Sequence, residues 1–543
     1  MSAYRSPRVR LVTATGAAAV LFVASTLGPA APAVAAAAPA APAGGLLADT
    51  WANQIGSTPL APAITAAGGD KADKANPDLA ATTTGAVLTG AGVGVALIDS
   101  GVTTVPGLNG TGKVIYGPDL SFESQSPNLR YLDTYGHGTH MAGIIAGQDP
   151  RTVTGTARFA GVAPDAHIVS VKAASADGAS DVSQVIAGID WVVAHRNDPG
   201  LNIRVLNLSY GTQSTQSATL DPLSYAVEQA WKAGIVVVVA AGNDGFTADN
   251  LTMPAANANV IAVGAADTEG TDSRVDDQVA DFSNRGNATR HPDVLAPGRS
   301  IVSLRDPGSY IDRTYPSAKL STVVDPSQRF FRGSGTSQAA AMVSGAVALL
   351  LQQRPELTPD EVKQLLMSTA DPIKNADAYA AGSGQINIAT AARTRKVAGV
   401  KQKNAVATGL GSLEASRGGE HVYDSVTGTA LTGEQDIFGA AWNAAAWAWA
   451  SSVQKSWNGG TWNGSAWTGT AWTSTVFGLV FSTVQTWTPV LWTGRSWAGS
   501  YWSGRSWASA IWTGVGWSSQ TWSGRSWSGR SWSAAGWSGE PWR

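Results

Sequence analysis

Four short stretches of the sequence hold side chains that together could hydrolyse an amide. Gly136-His137-Gly138-Thr139-His140 sets a histidine between two glycines. Gly333-Ser334-Gly335-Thr336-Ser337-Gln338 presents a serine after glycines and before a long apolar stretch. Asp99 stands in Asp99-Ser100-Gly101 and Asn243 in Ala240-Ala241-Gly242-Asn243. Amide hydrolysis by a hydroxyl needs a base to take the proton, an acid to hold that base in one tautomer, and fixed donors for the tetrahedral oxyanion. His137 suits the base, Ser337 the nucleophile, Asp99 the orienting acid and Asn243 the oxyanion donor. Each stretch alone has a plainer explanation: a histidine near a helix start, an N-cap serine, a turn aspartate, a turn or cap asparagine. His140 lies a turn beyond His137 and reads as structural.

The elements needed to position these groups are legible around them. Val93 to Ile98 is a short apolar run that ends at Asp99, and Ile168–Val171, Val205–Leu208 and Ile235–Val239 are similar. Continuous runs of this length suit strands buried on both faces of a parallel sheet. Between them Val182, Val185, Ile186, Ile189, Val192 and Val193 recur at helical spacing. Ser224 to Ala233 reads as a helix stopped by Gly234. Met141 to Ala146 and Ala339 to Leu351 read as helices behind His137 and Ser337. Thr358-Pro359-Asp360-Glu361 carries the signals of a capping box with proline at the first helical position. Alternating strands and helices predict an α/β domain with a mostly parallel central sheet and helices on both faces, with ligands beyond the carboxyl ends of the strands.

With these stretches in view, the sequence resembles the subtilisin-like serine peptidases, the subtilase family. The order Asp, His, Ser is the subtilisin order. The stretches that carry the resemblance are VALIDSGV around Asp99, GHGTHMAGIIAG around His137, GVAPDA from Gly161, LNLSYG from Leu206, AAGN from Ala240, FSNRG from Phe282, VLAPG from Val294 and GSGTSQAAAMVSG around Ser337. The resemblance implies a secreted serine endopeptidase that works through an acyl-enzyme. It makes Ser337 the nucleophile, His137 the general base and then acid, and Asp99 the orienting group. Asn243 and the backbone N–H of Ser337 would bind the oxyanion. Ser209-Tyr210-Gly211 would pair with the substrate backbone as an added strand, and Ala241 and Gly242 would line the opposite wall of the pocket before the scissile bond. No cofactor is implied for the chemistry. Structural calcium is common in the family, but no carboxylate cluster here has a spacing that locates a metal. Two positions depart from the family pattern: Gln338 stands where many relatives have methionine, and Ala341 where the pattern has proline. The alternative is a subtilase fold that is catalytically silent and serves as a cell-surface binding protein.

The rest of the 543 residues sets the context. A formal net charge of −2 gives no reason to expect nucleic acid as a partner, and the absence of cysteine excludes disulfides and thiolate metal sites. Arg5, Arg8 and Arg10, an apolar stretch from Leu11 to Leu27 and Ala33-Val34-Ala35 predict a signal peptide over 1–35 and an extracellular location. Residues 36–78 form an Ala/Pro/Gly-rich segment. Between the expected signal cleavage and Asp99 lie about 60 residues, short for a domain with its own core, so the expectation is no folded inhibitory pro-domain, with room for a short activation peptide. The peptidase domain is expected over 79–395, a linker over 396–440 and a tryptophan-rich repeat over 441–543. From Trp442 to Trp542, tryptophan fills 18 of the 21 positions on a five-residue grid. A period of five fits neither strand nor helix; a turn at each [ST]-G step could reset the chain, giving a small solenoid or an irregular stacked ribbon. This basic, aromatic tail predicts self-packing or self-association, binding of a cell-wall polymer, or a tail without fixed structure. The expected partners are otherwise protein or peptide substrates.

Overall fold

The computed structural model describes residues 88–473 except 126–128, 150–158, 247, 270–273, 321–326, 395–400, 420, 423–429, 438, 459–460 and 468–471, together with residues 536–537. The expected signal peptide and Ala/Pro/Gly-rich segment, and most of the repeat, lie outside the described residues. All described residues belong to one compact unit, Pro42–Arg543.

The sheet that carries the chemistry runs in the order β2 (Val114–Asp119), β3 (His167–Lys172), β1 (Gly94–Asp99), β4 (Ile203–Leu208), β5 (Val236–Ala240), β6 (Ile261–Asp267), β7 (Gln278–Val279), with β8 (Val294–Pro297) also pairing β6. All pairings in it are parallel except β6 with β7. β1, β5 and β8 are buried along their whole length, which is why their sequences are apolar without alternation. A smaller antiparallel sheet joins β9 (Ile301–Leu304) to β10 (Phe330–Ser334).

Helices cover both faces, as side-chain contacts show. Asn207 of β4 accepts a hydrogen bond from Ser344 in helix α4 (Thr336–Gln353), and Asn207 is in register with Leu97 of β1. The next residue, Ile98, must point to the opposite face. There it meets Gly188 of helix α2 (Val182–His195). Helix α1 (His137–Ala146) packs on α4, and helix α3 (Pro222–Lys232) packs on α2. Asp181 caps α2 in a capping box with Gln184, and Thr358 caps α5 (Pro359–Thr369) in the predicted box with Glu361.

Within the expected linker, 396–440, described residues make buried contacts with the peptidase domain. Arg417, only 1% exposed, donates to both carboxylate oxygens of Asp181 and to the carbonyls of Gly433 and Gln435. The N–H of Ala407 donates to Glu228. A buried charge pair fastens Arg417 to the start of α2, and a backbone N–H fastens Ala407 to α3, a mode of burial that a polar composition hides.

The start of the tryptophan repeat is also packed down. Trp447 and Trp462 both donate their indole N–H to the buried Asp190 of α2, at 2.8 and 2.9 Å, and Ser451 donates to its other oxygen. The Trp442 ring lies 5.0 Å from that of Trp447 and 6.0 Å from that of Trp462. Strands β11 (Trp457–Asn458), β12 (Thr461–Trp462), β13 (Ser465–Trp467) and β14 (Trp472–Thr473) form an antiparallel meander. Trp457 pairs with Trp462 and Trp467 with Trp472. Asn463 and Gly464 make the turn between β12 and β13 with φ of +44° and +79°, the left-handed pair that Asn-Gly hairpin turns require. From Trp462 to Trp467 the five-residue step is therefore one tight turn plus one short strand.

Candidate active site

Three parallel strand ends and two helix starts converge to build the site. Asp99 is the last residue of β1, His137 the first of α1, and Ser337 the second of α4. The His137 Nδ1 lies 2.8 Å from Asp99 Oδ1 and 3.0 Å from Oδ2. A carboxylate on Nδ1 makes that nitrogen the protonated one and leaves Nε2 as the basic end. Both residues are fully buried. Gly138 permits this approach, since a Cβ there would sit 2.1 Å from the Gly101 carbonyl oxygen.

Asp99 and His137 are held by a network that sequence reasoning did not include. The Ser100 N–H donates to Asp99 Oδ1 at 2.7 Å. Ser100 Oγ donates to Asp133 at 2.7 Å and accepts from the Gly138 N–H. Asp133 then accepts from the N–H groups of Gly136 and Thr139 at 2.7 Å each. Gly136, the residue before α1, has no side chain to cap the helix, so Asp133 caps it from four residues before His137. The spacing Asp133-Thr134-Tyr135-Gly136-His137 was a readable signal of that cap. Burial, and secondarily the nearby Asp99, raise the Asp133 carboxyl above its ordinary range, against the pull of these donors. Burial and Asp133 push Asp306 up to about 8. His140 lies behind the site, 3.2 Å from the Phe331 carbonyl through Nε2. Burial and then His137 lower it to about 3, so it stays neutral as a structural residue.

Asn243 follows β5 and meets the start of α4. Its Oδ1 accepts from the Thr336 backbone N–H and from Thr336 Oγ1, at 2.9 Å each. A backbone N–H can only donate, so the amide oxygen must face Thr336. The amide NH2 is therefore the end directed away from it, as an oxyanion donor requires. Gly242 has φ of +115°, and a Cβ there would lie 2.6 Å from Asn284 Nδ2, so only glycine fits. Ser337 occupies the first turn of α4, at the end of the helix where the backbone N–H groups point outward. A chain of polar contacts ties α4 to the sheet: Ser344 to Asn207, Asn207 to Ser209, and Ser209 to the Ser337 carbonyl. Ser209 and Tyr210 follow β4 and are buried, as is Ala241, while Gly211 and Gly242 are half-buried. The structure thus brings Asp99, His137, Ser209, Asn243 and Ser337 to one end of the sheet. Gln338 and Ala341 are buried in α4, which continues regularly through both departures from the family pattern.

Comparison with known proteins decides the family. The subtilase family profile matches residues 90–410. This chain belongs to the subtilase family. Serine protease AprX of Bacillus subtilis is 39% identical over 309 residues, covering 56% of this chain and 66% of that protein. Subtilisin BL of Lederbergia lenta is 34% identical over 306 residues, covering 56% of this chain and 93% of that protein. A solved cold adapted subtilisin-like serine proteinase is 30% identical, covers 55% of this chain and 88% of its own, and superposes with a TM-score of 0.40. By membership this subtilase is a serine-type peptidase. Among the described residues no group of three or more His, Asp or Glu is placed to hold a metal ion, and no helix is long and apolar enough to cross a membrane.

Proposed function

We propose that this subtilase is a secreted endopeptidase that cleaves peptide bonds through an acyl-enzyme on Ser337. The observation that carries the reading is the buried Asp99–His137 pair, at 2.8 Å, set at the helix start packed beside α4. His137 Nε2 takes the Ser337 proton as Oγ attacks the carbonyl carbon, and returns it to the leaving amine. The C–N bond breaks, and water admitted by the same base then hydrolyses the ester. Asp99 fixes the tautomer and stabilises the imidazolium without taking the proton. The oxyanion is held by Asn243 Nδ2 and the Ser337 N–H. The segment Ser209-Tyr210-Gly211 binds the peptide before the scissile bond, against Ala241 and Gly242. The Arg-flanked apolar N-terminus supports export. A catalytically silent binding protein is disfavoured by the presence of all four chemical groups and of the Asp133 network that supports them.

Peptide hydrolysis by the purified chain beside its Ser337→Ala and His137→Ala variants tests this. Each substitution should lower turnover on the order of 10⁶-fold. Parent-level turnover in a folded Ser337→Ala variant would refute the assignment.

A further inference from the structure

His137 is 0% and Ser337 1% exposed, although an entering peptide must touch both. The strand that leads into Ser337 is also occupied. Beyond β9, the other side of β10 pairs with β15 (Gly536–Trp537), from the far end of the tail. The pairing is antiparallel, with Ser334 opposite Gly536 and Gly333 opposite Trp537. Because β10 runs towards Ser337, the paired segment runs away from it. Its N-terminal end points back towards the start of α4. That is the direction in which the part of a peptide after the scissile bond must leave Ser337, if Ser209-Tyr210-Gly211 holds the part before it.

We propose that the strand Gly536–Trp537 is a self-supplied occupant of this edge, closing the leaving-group side of the cleft in a resting state. The inference rests on the assignment of Ser337 as nucleophile. An exposed strand edge beside a cleft accepts an extended segment through backbone hydrogen bonds with little demand on sequence. Two residue pairs make a weak contact, but tethering compensates. Trp447 and Trp462 fix the start of the tail on Asp190. The residues from 474 to 535 could extend about 200 Å, more than enough to reach β10. An edge that takes the strand with a dissociation constant of about 0.1 mM is about nine-tenths filled at a tethered concentration of about 1 mM. Freeing it should then raise access about tenfold.

The test compares the full chain, a chain ending at Ala535 and the full-length Gly536→Pro variant. Proline at 536 removes the ladder N–H while keeping the tail, so the point variant covers the case in which the shortened chain folds poorly. The readouts are the rate of Ser337 labelling by a fluorophosphonate and KM for a peptide with four residues after its scissile bond. The proposal expects labelling about tenfold faster and KM about tenfold lower in both altered chains. Equal labelling and KM in all three chains would overturn it while leaving Ser337 as nucleophile. Labelling in none of them would overturn both the proposal and the nucleophile assignment.

Discussion

Asp306 is a carboxyl buried beside Thr103, which donates to it at 2.8 Å, and near Asp133. Its folded-state value of about 8 lies above the unfolded carboxylate range near 3.8. Between those limits the unfolded chain ionises and the folded one holds its proton, so stability falls as pH rises through that window. Asp306→Asn should melt with the parent at pH 4 and above it at pH 8; an equal or lower melting temperature at pH 8 would contradict the burial argument. Asn243 faces a different test. Its oxygen is committed to Thr336, so Asn243→Ala removes both the oxyanion donor and a tie on α4. Turnover should fall on the order of 10²–10³-fold with KM little changed, and a near-parent kcat would remove Asn243 from the oxyanion site. At position 338, glutamine has no thioether to oxidise, so activity should survive peroxide that converts an accessible methionine to its sulfoxide. Rapid inactivation with modification mapped beside Ser337 would contradict that.

At the scale of elements, the strands and helices that hold the site were readable because burial on both faces of a sheet leaves continuous apolar runs. The run ending at Asp99 became β1, and the stripe from Val182 to Val193 became α2. The network under the site was less legible. The cap by Asp133 has a local spacing, but Ser100 and Asn207 are polar residues whose role depends on neighbours distant in sequence. The contact of Arg417 with Asp181 was hidden for the same reason, because hydropathy does not register a buried ion pair. Arg417→Ala should leave Asp181 charged and buried without its partner, costing about 3–5 kcal/mol in denaturant unfolding. Loss below about 1 kcal/mol would show that water replaces the pair. The five-residue period posed a different difficulty. Between Trp462 and Trp467 turn and strand share one unit, so neither period stands out there, and the register of β12 with β13 resolves it.

At the scale of the molecule, two ends of one repeat region contact the peptidase domain in different ways. Near Trp442–Trp462 the indoles are part of its packing, and Asp190 depends on them. Trp462→Phe removes one of two indole donors from a buried carboxylate and should cost about 1–3 kcal/mol. Asp190→Asn in the same chain should soften that loss, and equal losses with and without it would show that the ring, not the N–H, carries the contact. The sequence announced a repeat but not its address, since nothing in a tryptophan grid names Asp190 or β10.

The most direct measurement is mass spectrometry of the full chain after prolonged treatment with a fluorophosphonate, beside Ser337→Ala. A single phosphonyl group on the peptide containing Ser337, absent from the variant, is the result predicted here. An unlabelled Ser337 in the folded, treated parent, or equal labelling of the variant, would contradict the account of this chain as an active serine peptidase.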